Sequence, residues 1–176
     1  MCGRFTLQIP LEALLEIFGI AEPPSFAVAP RFNIAPTQQI PVVRQYADYT
    51  EHLDMLRWGL IPSWVKDGPT GPPLINARCE TIAEKPAFRQ AIKYRRCLIP
   101  ASGFYEWRRG GERKLPQYIR LKDGAPMLFA GVWEASKGPD GKPVDTCSIL
   151  TTAANDLVAP FHDRMPVILA PAECDA

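Results

Sequence analysis

A chain of 176 residues with 47% hydrophobic residues, 22% charged residues and a formal net charge of +1 can build one core. About 70% of the unfolded chain's surface leaves water at this length, which excludes a disordered chain. Nineteen prolines are about twice the usual share and break long helices, which excludes a helical bundle and favours short strands joined by rigid turns.

In chain order, Pro10 followed by Leu11, Leu14, Leu15 and Phe18 predicts a short amphipathic helix that Gly19 stops. Residues 21–39, rich in proline and small residues, read as an extended loop. Strand-like runs follow over 40–46 and 52–58. Residues 66–73 hold three prolines and two glycines and form a loop, because that composition forbids regular pairing. A second helix is expected near Pro86, with Phe88, Ala91 and Ile92 inward and Lys85, Arg89 and Lys93 outward. Closely spaced strands follow over 96–100, 103–108, 117–121, 127–133 and 146–152. The breaks Gly110-Gly111, Asp123-Gly124 and Gly138-Pro139-Asp140-Gly141 have turn chemistry suited to hairpins. With no internal repeat or low-complexity linker, residues 1–176 read as a single α+β domain, a curved, barrel-like, mostly antiparallel sheet with a few short helices.

Residues 1–77 carry 5 basic and 7 acidic groups, residues 78–122 carry 12 and 4, and residues 123–176 carry 3 and 8. A net charge near zero thus divides into −2, +8 and −5, and the basic middle is either a solvated face or a phosphate-binding surface. No apolar run approaches the ~20 residues of a membrane span, and no secretory signal opens the chain. Five scattered cysteines (Cys2, Cys79, Cys97, Cys147, Cys174) without a Cys-x-x-Cys pair indicate neither a disulfide framework nor a zinc site. No metal or other cofactor is expected, nor a membrane partner, and the compartment is cytoplasmic or nuclear.

The segment with the most chemistry is Met1-Cys2-Gly3. Initiator methionine is removed before a small second residue, so Cys2 is expected to start the mature chain. Its amine and thiol then lie on adjacent carbons. The amine condenses with an aldehyde to an imine, and the thiol closes on the same carbon as a five-membered thiazolidine, a step made intramolecular by proximity. Reference pKa values of about 7.7–8.0 for an α-amine and about 8.5 for a thiol leave a nucleophilic fraction near neutrality. Three further segments carry polar groups in unusual places. Asn76 and Arg78 interrupt an apolar stretch. Glu106 lies between aromatics in Gly103-Phe104-Tyr105-Glu106-Trp107, where burial favours the protonated carboxyl and suits it to acid and base work. His162-Asp163-Arg164 pairs a histidine with a carboxylate. Asn33-Ile34-Ala35-Pro36 is a rigid elbow.

With Cys2-Gly3-Arg4-Phe5, Trp58-Gly59-Leu60-Ile61-Pro62, Asn76-Ala77-Arg78-Cys79-Glu80-Thr81, Ala130-Gly131-Val132-Trp133-Glu134, Leu150-Thr151-Thr152-Ala153-Ala154-Asn155 and His162-Asp163-Arg164-Met165-Pro166, these segments make the chain resemble the SOS response-associated peptidase (SRAP) family of abasic-site processing proteins over nearly its whole length. The resemblance implies autocatalytic removal of Met1 and covalent capture of an abasic site in single-stranded DNA as a thiazolidine, shielding the lesion. It implies Cys2 as nucleophile, Asn76 holding the opened sugar, Glu106 as acid and base, and His162 assisting ring opening. Arg4 and Arg78 would contact phosphates, Asn33 joins the DNA-binding set, and Pro36 and Trp64 would lie against bases; read from the residues themselves, Trp64 and Trp107 offer faces for unpaired bases. A monomer acting on single-stranded DNA in the cytoplasm, nucleoid-associated in a bacterium, or in a nucleus is the expectation.

Family members usually continue further, and Pro171-Ala172-Glu173 looks like the first turn of another helix, so the end at Ala176 reads as interrupted. The alternatives are a thiol peptidase acting on other proteins through Cys2 and His162, an N-terminal-nucleophile hydrolase, and a non-covalent single-stranded DNA binding module.

Overall fold

The structure, a computed structural model, describes residues 2–46, 49–65, 71–108, 115–138, 140–170 and 173. Met1, the first half of the proline loop, the Gly110-Gly111 break, Pro139, Pro171-Ala172 and Cys174 lie outside the described residues.

The larger sheet is built on β3 (Gln39–Gln45), β4 (Glu51–Trp58), β6 (Arg96–Ala101), β9 (Met127–Lys137) and β10 (Pro143–Ala153). Antiparallel pairings join β4 to β3, β3 to β6, β6 to β9 and β9 to β10. A parallel pairing of β10 with β4, Thr146 opposite Arg57 and Cys147 opposite Trp58, closes the ring. Five strands thus form a barrel without free edges. On β10 also lie β5 (Asn76–Arg78), parallel, and β11 (Arg164–Pro166), antiparallel, while β12 (Ile168–Leu169) pairs with β9. The smaller sheet is antiparallel, in the order β2 (Arg31–Ile34), β1 (Phe5–Leu7), β7 (Gly103–Trp107), β8 (Pro116–Ile119). The curved, mostly antiparallel α+β architecture agrees with the sequence reading.

One apolar cluster joins the sheets. Phe5, Ile34 and Phe104 of the small sheet bury themselves with Trp58, Ile99, Phe129 and Ile149 of the barrel. Phe5 meets Trp58 edge-on at 5.2 Å and Phe129 at 6.0 Å, the T-shaped arrangement that aromatic quadrupoles favour. Cys2 belongs to this cluster and is fully buried. Buried on the same face of β3 as Ile40 and Val42, Arg44 binds Asp54 and Asp145 at 2.7 Å each and lies 4.4 Å over Trp133, tying β3, β4 and β10 together.

Helix α1 (Leu11–Ile17) forms as predicted, and Gly19 ends it at φ 61°, a left-handed conformation glycine adopts without penalty. The second helix, α2 (Ala91–Tyr94), is four residues long and follows hydrogen-bonded turns that start at Thr81. Phe88 and Ala91 are buried and Lys85, Arg89 and Lys93 exposed, as their spacing requires. Asp123-Gly124 is a turn but not a hairpin, since β8 ends the small sheet and β9 belongs to the barrel. The expected loop over 21–39 contains β2. No helix among the described residues is long and apolar enough to cross a membrane.

Candidate active site

The antiparallel register of β1 on β7 sets Phe5 opposite Phe104, and the Tyr105 amide donates to the Arg4 carbonyl at 2.9 Å. Carried one step further, this register places Gly3 opposite Glu106. Cys2 and Glu106 are thereby neighbours in the junction between the sheets, fully buried and 3% exposed respectively. Burial pushes the Cys2 thiol well above the ordinary thiol range, and the Glu106 carboxylate opposes the thiolate further. Near neutral pH Cys2 is therefore a thiol.

Asn76 reaches the same point from the barrel. Its Nδ2 donates to the Cys2 carbonyl at 3.0 Å. Its position is fixed by the preceding carbonyl, since Ile75 O accepts both the Trp58 indole N–H at 2.9 Å and the Ile149 amide at 3.0 Å. Asn76 Oδ1 is buried with no hydrogen-bond partner among the described residues. A buried acceptor left unmet is costly, so this oxygen is suited to a donor such as a substrate hydroxyl. Two residues on, Arg78 is exposed opposite Thr151.

His162 precedes β11. Its Nδ1 accepts the Arg164 amide at 2.9 Å, and Asp163 Oδ1 is 2.9 Å from the same nitrogen. One ring nitrogen cannot accept the amide and donate to the carboxylate at once. The Asp163 contact is met when Nδ1 carries the proton and the Arg164 contact when it does not, so the pair couples the protonation of His162 to the loop that holds it. Arg164 is itself held by a two-pronged pair with Glu80 at 2.7 and 2.8 Å and by Thr151 O at 2.6 Å. That guanidinium holds the Glu80 carboxyl down to about 2. Cys79 N donates to Thr151 O at 2.9 Å. One strand, β10, thus aligns Asn76 and Arg78 on one neighbour with the His162 segment on another. The Glu80–Arg164 pair is a site feature that sequence reasoning missed. Its two members are 84 positions apart, and no local pattern pairs them.

The remaining predicted residues fall into two groups. Arg4 Nη1 donates to Asn33 Oδ1 at 2.8 Å across β1 and β2, and Trp107, half-buried, ends β7. These three lie on the small sheet beside Cys2. Pro36 is in the β2–β3 turn, where Thr37 adopts φ 72° and donates to Trp58 O at 2.7 Å. Trp64 is 56% exposed in the turn after Pro62, apart from the Cys2 cluster. Among the described residues no group of three His, Cys, Asp or Glu side chains is placed to hold a metal ion.

A family model described as "SOS response associated peptidase (SRAP)" matches residues 1–176. The abasic site processing protein YoqW of Bacillus subtilis is 45% identical over 171 residues, covering 96% of this chain and 76% of its own. The abasic site processing protein YedK of Escherichia coli is 31% identical over 175 residues, covering 97% and 76%. The abasic site processing protein HMCES of Gallus gallus is 33% identical over 172 residues, covering 80% and 51%. A crystal structure of a protein from Bordetella bronchiseptica superposes with a TM-score of 0.84 at 27% identity, covering 99% of this chain and 87% of that one.

Proposed function

The chain belongs to the SOS response associated peptidase (SRAP) family, and on that premise we propose that it captures abasic sites in single-stranded DNA as a thiazolidine on Cys2. The observation that carries this reading is the convergence on Cys2 of Asn76, bonded to its carbonyl at 3.0 Å, and of buried Glu106, whose charge opposes its thiolate.

The chemistry follows from the protonation states. Hydrolysis of the Met1–Cys2 bond frees the α-amine. An abasic deoxyribose is mostly closed as a hemiacetal; as the ring opens, the proton leaving the C1′ hydroxyl is transferred to the ring oxygen, and His162 assists by hydrogen-bonding that oxygen. Asn76 Oδ1 accepts from a hydroxyl of the opened sugar. The amine, and not the protonated thiol, is the first nucleophile; as it adds to the C1′ aldehyde, the Glu106 carboxylate takes the proton the nitrogen releases and returns it to the departing hydroxyl, which leaves as water. The resulting imine carbon is then attacked by Cys2 sulfur, whose proton passes through Glu106 to the nitrogen. Aldehyde and aminothiol give thiazolidine and one water, with no oxidant required. Arg4, Arg78 and Asn33 hold the strand, with Pro36, Trp64 and Trp107 against bases.

The test is a denaturing gel of the protein with single-stranded DNA bearing either a natural abasic site or a tetrahydrofuran analogue that lacks the aldehyde. Adduct is expected with the natural site alone and is abolished in Cys2→Ala. Equal adduct with the analogue, or adduct surviving in Cys2→Ala, overturns the mechanism.

A further inference from the structure

The outer face of the small sheet is largely unused by the chemistry above. Phe5 and Phe104 point into the core, so strand alternation sends their neighbours outward. Arg4, just before β1, and Tyr105 on β7 are therefore side by side on the outside, and Tyr118 on β8 stands opposite Tyr105. Asn33 on β2, bonded to Arg4, completes a row across all four strands. Three strand spacings make that row about 14 Å long.

Side chains on strands ordinarily stand roughly perpendicular to the sheet, but both tyrosines lie down. The Tyr118 hydroxyl is 2.8 Å from Thr6 Oγ1, across β7 on β1. Its ring covers Gly103, where a Cβ would come within 2.7 Å of two ring carbons, so the ring needs glycine beneath it. The Tyr105 hydroxyl reaches across β1 and donates to the Phe32 carbonyl on β2 at 3.2 Å. The two ring centres are 5.1 Å apart with planes inclined at 39°, and Tyr118 is 40% exposed. The Tyr118 ring, laid over Gly103, has its other face turned away from the sheet, and the partly exposed Tyr105 ring lies beside it. Beyond Tyr118 a groove of about 520 Å³ continues toward α1, lined by Gln8, Ser102 and Arg120.

We propose that this face is a stacking platform for unpaired bases of single-stranded DNA beside the reacting nucleotide, with Tyr105 and Tyr118 under the bases and Arg120 against a phosphate in the groove. The inference rests on the abasic-site reading for the identity of the strand. The platform lies on the outer face of the sheet whose inner side carries Phe104 and Glu106, with Arg4, two residues from Cys2, at its edge, and its guanidinium groups complement a polyanion. An open four-stranded sheet with paired aromatics takes exposed base faces, which a duplex hides within its stack.

The experiment measures anisotropy of a dye-labelled, undamaged single strand with wild type, Tyr105→Leu, Tyr118→Leu and Tyr118→Phe, alongside wild-type adduct yield on an abasic strand. Each Leu variant is expected to bind about 5- to 150-fold more weakly, the range carried by one stacked base, while Tyr118→Phe stays near wild type. A strand carrying 5-iodouracil, irradiated on the wild-type protein, should cross-link to peptides containing Tyr105 or Tyr118, a readout that needs no variant to fold. Undiminished binding by the Leu variants, or iodouracil cross-links confined to other peptides, overturns the platform. Wild type that binds strands in a tyrosine-dependent way but gives no abasic adduct overturns the abasic-site reading and leaves the platform standing.

Discussion

At the scale of single residues, the site depends on which atoms hold protons. Cys2 is kept as a thiol by burial, Asn76 offers one buried unmet oxygen, and His162 Nδ1 faces both the Arg164 amide and the Asp163 carboxylate. Arg164 is fixed in turn by Glu80, so Glu80→Gln should slow adduct formation while leaving affinity for undamaged DNA no weaker than in wild type. Single-turnover rates at saturating protein test this; an unchanged rate removes Glu80 from the positioning of His162. The pair also has a pH signature. The Glu80 carboxyl is held at about 2 in the folded chain, below its unfolded value of about 4.3. Its contribution is therefore fully present above the unfolded value and is lost as pH falls toward 2. Urea midpoints of wild type and Glu80→Gln should differ by a constant amount above about pH 5 and converge in the acid, with the pair's exposure keeping the difference small.

At the scale of elements, positions rather than propensities decide what the site receives. Trp58 is fully buried on β4, yet its indole N–H holds the carbonyl next to Asn76 on β5. Trp58→Phe removes that bond and leaves a void against Phe5, and should cost about 2–4 kcal/mol in urea unfolding. Adduct formation should slow as β5 loosens. A midpoint equal to wild type contradicts the assignment. Elements with a strong local signal are legible in the sequence: the spacing of Leu11, Leu14 and Leu15 predicts α1, and apolar runs bounded by turn-forming residues predict β3, β4, β6, β9 and β10. β2 and β5 were not legible as strands. Each is only a few residues long and exists through its partner, β2 through Phe5 opposite Ile34 and β5 through Ile149 opposite Asn76. Cys2, Asn76, Glu106 and His162 stand out as candidates by residue type and motif, but the β1–β7 register, the pairing of β10 with both β5 and β11, and the Glu80–Arg164 pair are long-range facts.

At the scale of the whole molecule, a net charge of +1 supplies little field beyond the Debye length of about 8 Å at physiological salt, so DNA attraction must come from local placement. The basic segment 78–122 divides in the fold. Arg95 is neutralised by Glu134 at 2.8 Å, whereas Arg78, Lys85, Arg89 and Lys93 are exposed, with Arg78 two residues from the Asn76 contact on Cys2. Each phosphate neutralised on a single strand contributes about 0.7 to the slope of log affinity against log salt. Arg78→Ala should therefore weaken binding to undamaged and abasic-analogue strands by the same factor and lower the slope by about 0.7. Arg95→Ala should leave the slope unchanged, because its charge is already met within the protein. Titrations across 50–300 mM salt separate the two, and equal slopes for wild type and Arg78→Ala would take Arg78 out of the DNA path.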